Sequence, residues 1–211
     1  MFTGTFSETH FPELHKEHLS DAHLFAERRD LLAAVAPTGG VIAEVGVALG
    51  DFSTALIESC DPSLFVAIDT FELHKFSELW GRPTSEVFGD ATHEELYRGR
   101  LAPYGDRVKI EPGFSWEVLS RYPEEHFDLI YIDAAHDYES VKMDTNIAAS
   151  RTKMGGILIF NDYIMYDHVA DAPYGIEQNV NALVVESGWR VLGLALHPQM
   201  FCDIAIRRDG S

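Results

Sequence analysis

The sequence predicts an α/β fold built on a doubly wound, mostly parallel seven-stranded sheet that closes with a C-terminal antiparallel hairpin. Three observations predict it. Short β-rich runs alternate with helical stretches along most of the 211 residues, the pattern of βα units in a parallel sheet. Runs such as VIAEVGV (41–47) and FDLIYID (127–133) are continuously apolar rather than alternating, as strands buried on both faces require. The last two runs, WRVLGLAL (189–196) and MFCDIAIRR (200–208), are separated only by HPQ. Three residues cannot hold a crossover helix, so these two strands pair antiparallel.

The elements follow in order. AHLFAERRDLLAAVA (22–36) has amphipathic spacing and predicts a helix leading into the first strand, 41–47. GDFSTALIESC (50–60) reads as the next helix and LFVAIDT (64–70) as the second strand. Residues 71–105 form a long insertion with FELHKFSELWGRP and a helix near ATHEELYRGRL; long loops beyond strand ends are often lids. VKIEPG (108–113) is the third strand, leading into SWEVLSRY (115–122). The fourth strand, 127–133, precedes a helix at 137–151, and GGILIFND (155–162) precedes a helix at 175–188. The chain thus divides into an N-terminal helical segment, 1–39, expected to cover the active site, and a ligand-binding domain, 40–211, with a lid-like insertion at 71–105.

Composition narrows the function. A chain of this length suits one domain that removes roughly 70% of its unfolded surface from water. No run approaches the ~18 apolar residues of a membrane span, and the N-terminus lacks a signal-peptide pattern. Two cysteines, Cys60 and Cys202, both in apolar surroundings, read as core thiols of a cytoplasmic protein. The net charge of −18, from 34 acidic and 16 basic residues, repels phosphate backbones. The expected partner is therefore a small molecule, with no nucleic acid and no membrane; the N-terminal helices could also pack on a second copy as a homo-oligomer.

The first strand turns through Glu44-Val45-Gly46-Val47-Ala48-Leu49-Gly50. Gly46 and Gly50 let the backbone approach a ligand closely. Glu44 stands where the dinucleotide motif G-x-G-x-x-G has its first glycine, and a carboxylate there repels a pyrophosphate but suits a cationic or amine-bearing ligand. Asp69, ending the second strand, is an acid of the kind that takes two ribose hydroxyls. Together they favour an adenosyl ligand without phosphate.

The pattern E-x-G-x-x-x-G, an acid after strand two and the terminal hairpin resemble the class I S-adenosylmethionine-dependent methyltransferases, a Rossmann-like family, over residues 40 to 208. IDAAHDYESVKMD and GGILIFNDY are similar to the branch containing macrocin O-methyltransferase, and more distantly to catechol O-methyltransferase. The resemblance implies that Glu44, Gly46, Gly50 and Asp69 bind the cofactor, and that Gly113, Phe114 and Ser115 lie where such enzymes contact adenine.

Asp133 and Asp162 end the fourth and fifth strands, which are neighbours in this topology. Ligands lie outside the carboxyl ends of such strands, and two adjacent carboxylates repel unless a cation or proton lies between them. Mg²⁺ or another divalent cation fits, and the resemblance implies that Asp133 and Asp162 hold it; Asp133 could instead contact the cofactor amine. His136, three residues on, stands where the catechol enzyme's lysine aligns, and a neutral imidazole is a suitable general base. Asp133 and His136 are thus the expected catalytic pair. No third metal ligand is identified, because Asn161 points to the other strand face and Tyr163 follows Asp162. The expected reaction is methyl transfer from S-adenosylmethionine to a hydroxyl of a small molecule. Alternatives are a metal-independent N-methyltransferase, a catalytically silent S-adenosylmethionine-binding protein and, less in keeping with Glu44, a nicotinamide oxidoreductase. His74, His93, His168 and the aromatics Phe71, Phe76, Trp80 and Tyr166 are candidates for the acceptor wall.

Overall fold

The computed structural model describes residues 11–209. Its main sheet has eight strands: β1 (His23–Phe25), β2 (Val41–Val45), β3 (Leu64–Asp69), β4 (Val108–Pro112), β5 (Phe127–Ile132), β6 (Thr152–Phe160), β7 (Trp189–Ala195) and β8 (Asp203–Arg208). Their order across the sheet is β4-β3-β2-β5-β6-β8-β7-β1. All neighbours run parallel except β8, which is antiparallel to both β6 and β7. The doubly wound sheet with a terminal antiparallel hairpin is therefore as expected.

Alternation along the strands divides the core. Ile42, Phe65, Leu129 and Ile159 face helices α1 (Arg28–Val35), α2 (Asp51–Cys60) and, beyond a short α3 (Thr84–Phe88), α4 (His93–Leu101). Val45, Ile68, Ile130 and Leu158 face α5 (Ser115–Ser120), α6 (Tyr138–Arg151) and α7 (Ile176–Ser187). Side chains of period two put Glu44 and Tyr131, which are paired in register, on the α1–α2 face. Both cysteines are buried and unbridged.

Two expectations need correction. The helix predicted over 22–36 begins only at Arg28, because His23–Phe25 pairs parallel with Gly193–Ala195 and adds an eighth strand. Gly193 permits this, since a Cβ there would lie 2.6 Å from the Phe25 ring and 2.8 Å from the His23 carbonyl oxygen. Pairing at an open sheet edge satisfies backbone groups that a helix could not reach. The hairpin loop is also longer than HPQ, since β7 ends at Ala195 and β8 starts at Asp203. The insertion contains a two-residue hairpin (Glu78–Leu79 with Arg82–Pro83) as well as α3 and α4. Thr92 and Glu95 cap α4 reciprocally, Thr92 N–H donating to Glu95 at 2.8 Å. Among the described residues no helix is long and apolar enough to cross a membrane. Residues 1–10 of the expected N-terminal segment lie outside the described residues.

Candidate active site

The turn after β2 carries three positive φ angles, Gly46 at 79°, Ala48 at 44° and Gly50 at 82°. Only glycine fits at 46, because an added Cβ would lie 1.9 Å from the Asp133 carbonyl oxygen. The same approach is laced by hydrogen bonds: Gly46 N–H donates to Ile68 O at 2.8 Å and Asp133 N–H to Val45 O at 2.7 Å. The carboxyl ends of β2, β3 and β5 are thereby drawn into one cleft floor.

Asp69 closes that floor. Its carboxylate accepts from Val47 N–H at 2.9 Å and Phe71 N–H at 2.7 Å, and its carbonyl accepts from Gly113 N–H at 2.9 Å. Phe114 next to it is exposed and stacked on Trp116, with ring centroids 4.8 Å apart. Ser115 is buried and its hydroxyl donates to Asp144, so this side chain is committed to the helix layer. Glu44 is 1% exposed and accepts from Ser53, which accepts in turn from Tyr97 at 2.9 Å. Burial pushes its pKa well up; Ser53 and Arg28 oppose this, while Asp133 and Asp69 add to it.

Helix α4 forms a wall over the glycine turn. Its first residue, His93, is fully buried with a ring nitrogen paired to the Ala48 carbonyl, and Arg100 donates to Leu49 O at 2.8 Å. His93 and Phe71 are thus core packing rather than acceptor wall, with ring centroids 5.1 Å apart. Phe76, Trp80 and His168 are exposed.

At the ends of β5 and β6 three side chains converge. Asp133, His136 and Asp162 each offer a ligand atom, all within 4.8 Å of one another. His136 Nε2 lies 3.4 Å from an Asp162 oxygen and 3.9 Å from an Asp133 oxygen. Local backbone explains the convergence. Asp137 caps α6 by accepting from Ser140 N–H at 3.1 Å, which starts the helix just after His136. Asp162 turns back through a left-handed φ of 55° immediately after the strand. The His136 ring stacks on Tyr174, 4.4 Å between centroids and 15° between planes, and its carbonyl accepts from Gly175 N–H at 2.7 Å. Asp167 holds Tyr174 in turn, accepting from its hydroxyl at 2.8 Å. Burial and the neighbouring Asp133 push the Asp162 carboxyl up, against the pull of His136. Burial lowers His136, but the two carboxylates outweigh it and its pKa is raised.

A second cluster adjoins the first. Asp203, buried at the start of β8, accepts from Tyr131 Oη at 2.8 Å and Asn161 Nδ2 at 2.9 Å. Arg28 of α1 reaches Tyr131 Oη at 3.4 Å with its guanidinium 4.2 Å above the Phe52 ring. Burial pushes the Asp203 carboxyl up to about 6, with Tyr131, Asn161 and Arg28 opposing.

A family model described as a methyltransferase domain matches residues 43–163, which run from Ala43 in β2 to Tyr163, just past Asp162. The chain belongs to the methyltransferase-domain family. It is, accordingly, an S-adenosylmethionine-dependent methyltransferase. No curated protein sequence matches it. Among solved structures, an O-methyltransferase from Bacillus cereus in complex with SAH is similar at 17% identity and a TM-score of 0.59, covering 85% of this chain and 78% of that one. A putative caffeoyl-CoA O-methyltransferase from Staphylococcus aureus is similar at 18% and 0.57, covering 85% and 80%. A putative rRNA-methylase from Clostridium thermocellum reaches 12% and 0.59, covering 87% and 94%. At these identities the likeness is one of fold.

Within this methyltransferase the residues expected at the cofactor turn, Glu44, Gly46, Gly50 and Asp69, gather on one cleft floor, with Gly113 and Phe114 at its edge. Asp133, His136 and Asp162 meet beside it. Sequence reasoning missed Arg28, Tyr131, Asp203 and Tyr174. Tyr131 and Asp203 were detectable as polar groups inside apolar strand runs; Tyr174 and Arg28 carry no local signal.

Proposed function

We propose that the chain moves the methyl group of S-adenosylmethionine to a hydroxyl oxygen of a small molecule, assisted by a divalent cation held at Asp133 and Asp162. The observation that carries this reading is the meeting of Asp133, His136 and Asp162 within 4.8 Å. The donor set fits a cation. Asp133 and Asp162 lie close together around His136, at ion-pair distance from its Nε2, and a positive ion relieves two crowded carboxylates. When bound, such an ion lowers the pKa of a coordinated hydroxyl and orients it.

S-adenosylmethionine would lie along the Gly46–Gly50 turn, with its ribose hydroxyls toward Asp69 and its adenine toward Phe114. Asp69 and Asp133 give that cleft a negative character that attracts a sulfonium. The acceptor oxygen attacks the methyl carbon, the carbon–sulfur bond breaks and S-adenosylhomocysteine is released. The hydroxyl proton leaves to solvent water. Orientation in a closed pocket is worth on the order of 7–11 kcal/mol in favourable cases, and the N-terminal segment (1–39) with the insertion at 71–105 would supply the enclosure. Acceptors with vicinal hydroxyls suit a chelating ion. The motifs IDAAHDYESVKMD and GGILIFNDY support the macrocin-like branch, and two of the similar structures carry O-methyltransferase in their names. The net charge of −18 argues against a nucleic-acid acceptor.

The test is formation of S-adenosylhomocysteine from a panel of catechols and sugar diols, with and without chelator. Methylation on oxygen that stops on chelation supports the reading. Chelator-insensitive methylation on nitrogen replaces it with a metal-free N-methyltransferase, and cofactor binding without turnover on any acceptor replaces it with a silent binder.

A further inference from the structure

The site reading above assigns the cation to two carboxylates, which as an all-oxygen set would suit Mg²⁺. The position of His136 changes the donor set. We infer that His136 is the third protein ligand, through Nε2, and that the Asp133–His136–Asp162 site takes a divalent transition-series ion such as Mn²⁺ or Co²⁺ in preference to Mg²⁺. This rests on the methyl-transfer reading only in sharing its site.

Four observations carry it. First, Nε2 lies 3.4 Å from an Asp162 oxygen and 3.9 Å from an Asp133 oxygen, within ion-pair reach of both, longer than ordinary hydrogen bonds and compatible with three donors to one shared ion. Second, Nε2 is buried and faces both carboxylates at ion-pair distance without meeting the geometry of a hydrogen bond to either. Third, the ring is fixed before any ligand arrives, by the near-parallel stack on Tyr174 and the Gly175 N–H on the His136 carbonyl. Fourth, the side chains keep partial exposure, 30% for His136, 32% for Asp133 and 14% for Asp162, so one side of the ion stays open to water and acceptor oxygens.

Ion preference follows from the donors. Mg²⁺ favours oxygen and retains its waters, whereas imidazole nitrogen strengthens binding along the series from Mn²⁺ to Cu²⁺. A nitrogen–carboxylate–carboxylate face therefore discriminates against Mg²⁺. It also removes His136 from the role of free base, since its Nε2 lone pair is engaged.

The experiment is calorimetric titration of metal-free protein with MgCl₂, MnCl₂ and CoCl₂, repeated on His136→Ala and His136→Gln, with S-adenosylmethionine titrated into every sample. Co²⁺ is expected to bind wild type on the order of tenfold or more tighter than Mg²⁺. Both variants should lose most of that preference, with Mg²⁺ affinity changed by about twofold at most. Mn²⁺-loaded wild type should show electron-spin-echo modulation from directly bonded nitrogen, absent from both variants. Equal Mg²⁺ and Co²⁺ affinities, no ion binding, or nitrogen modulation that survives in the variants each overturn the assignment. Cofactor binding in the variants shows that they fold, and the glutamine variant serves if the alanine variant does not. Failure of wild type to bind S-adenosylmethionine sinks the methyl-transfer reading, whereas failure of the ion preference alone sinks only the ligand assignment.

Discussion

Gly46→Ala is the sharpest probe of the cleft floor, and Gly39→Ala is its matched control. The two glycines have nearly the same φ, 79° and 78°, but a Cβ at 46 would lie 1.9 Å from the Asp133 carbonyl oxygen while one at 39 meets nothing within 4 Å. The left-handed backbone costs either alanine about 1–2 kcal/mol. At position 46 the β2 and β5 ends must also separate by more than 1 Å to bring that contact to the ~3 Å that real Cβ atoms tolerate. One hydrogen bond spans that gap, Asp133 N–H to Val45 O, and a second, Gly46 N–H to Ile68 O, ties the same residue to β3; both are disturbed by the shift, and each is worth a net ~0.5–1.5 kcal/mol. Gly46→Ala should therefore cost about 2–5 kcal/mol against about 1–2 for Gly39→Ala. Urea unfolding of both variants measures the difference, and calorimetry with S-adenosylmethionine measures the cleft. Cofactor affinity should fall by more than about tenfold in Gly46→Ala and stay unchanged in Gly39→Ala. Equal stabilities and equal affinities would refute the close-approach argument.

Asp69→Ala strips the acceptor from Val47 N–H and Phe71 N–H, and should weaken cofactor binding by about tenfold or more, read by calorimetry; unchanged affinity removes Asp69 from the cofactor site. Burial pushes Asp144 up to about 6 from an ordinary 3.8, with Ser115 opposing. The unfolded chain then ionises first, so folding stability falls as pH rises from about 4 to about 6. Asp144→Asn keeps an acceptor for Ser115 and should be more stable than wild type at pH 7 by about 1–3 kcal/mol, converging below pH 4; parallel urea curves at pH 7 would contradict this. Asn161→Asp exchanges the 2.9 Å donor of Asp203 for a second carboxylate, and should lower stability by about 1–3 kcal/mol at pH 8. An unchanged melting temperature there would show that Asp203 does not depend on Asn161.

Most of the sheet was legible because its strands are unbroken apolar runs separated by helical stretches. β1 was not, since HLF in an amphipathic stretch has no strand character until β7 offers an open edge. Glu44, Asp69, Asp133 and Asp162 could be read because acids at strand ends are costly without a ligand. The place of His136 between two carboxylates could not, because it depends on a left-handed turn at Asp162 and a stacked ring 38 residues away at Tyr174. Asn161 was expected on the opposite face from Asp162. Only the structure reveals its partner, Asp203, brought alongside by antiparallel pairing of β8 with β6.

The eighth strand has a consequence for how the chain matures. His23–Phe25 pairs with Gly193–Ala195, so the earlier segment waits for one made much later. β2 to β6 can assemble as they emerge, but β1 and α1 have no edge to join until β7 and β8 are in place. Contacts this remote in sequence form slowly, and the early segment stays unpaired during synthesis. Arg28, just after β1, reaches Tyr131 only once that docking is complete. The Arg28–Tyr131–Asp203 cluster is therefore completed at the end of folding, and a nascent or C-terminally truncated chain would lack it.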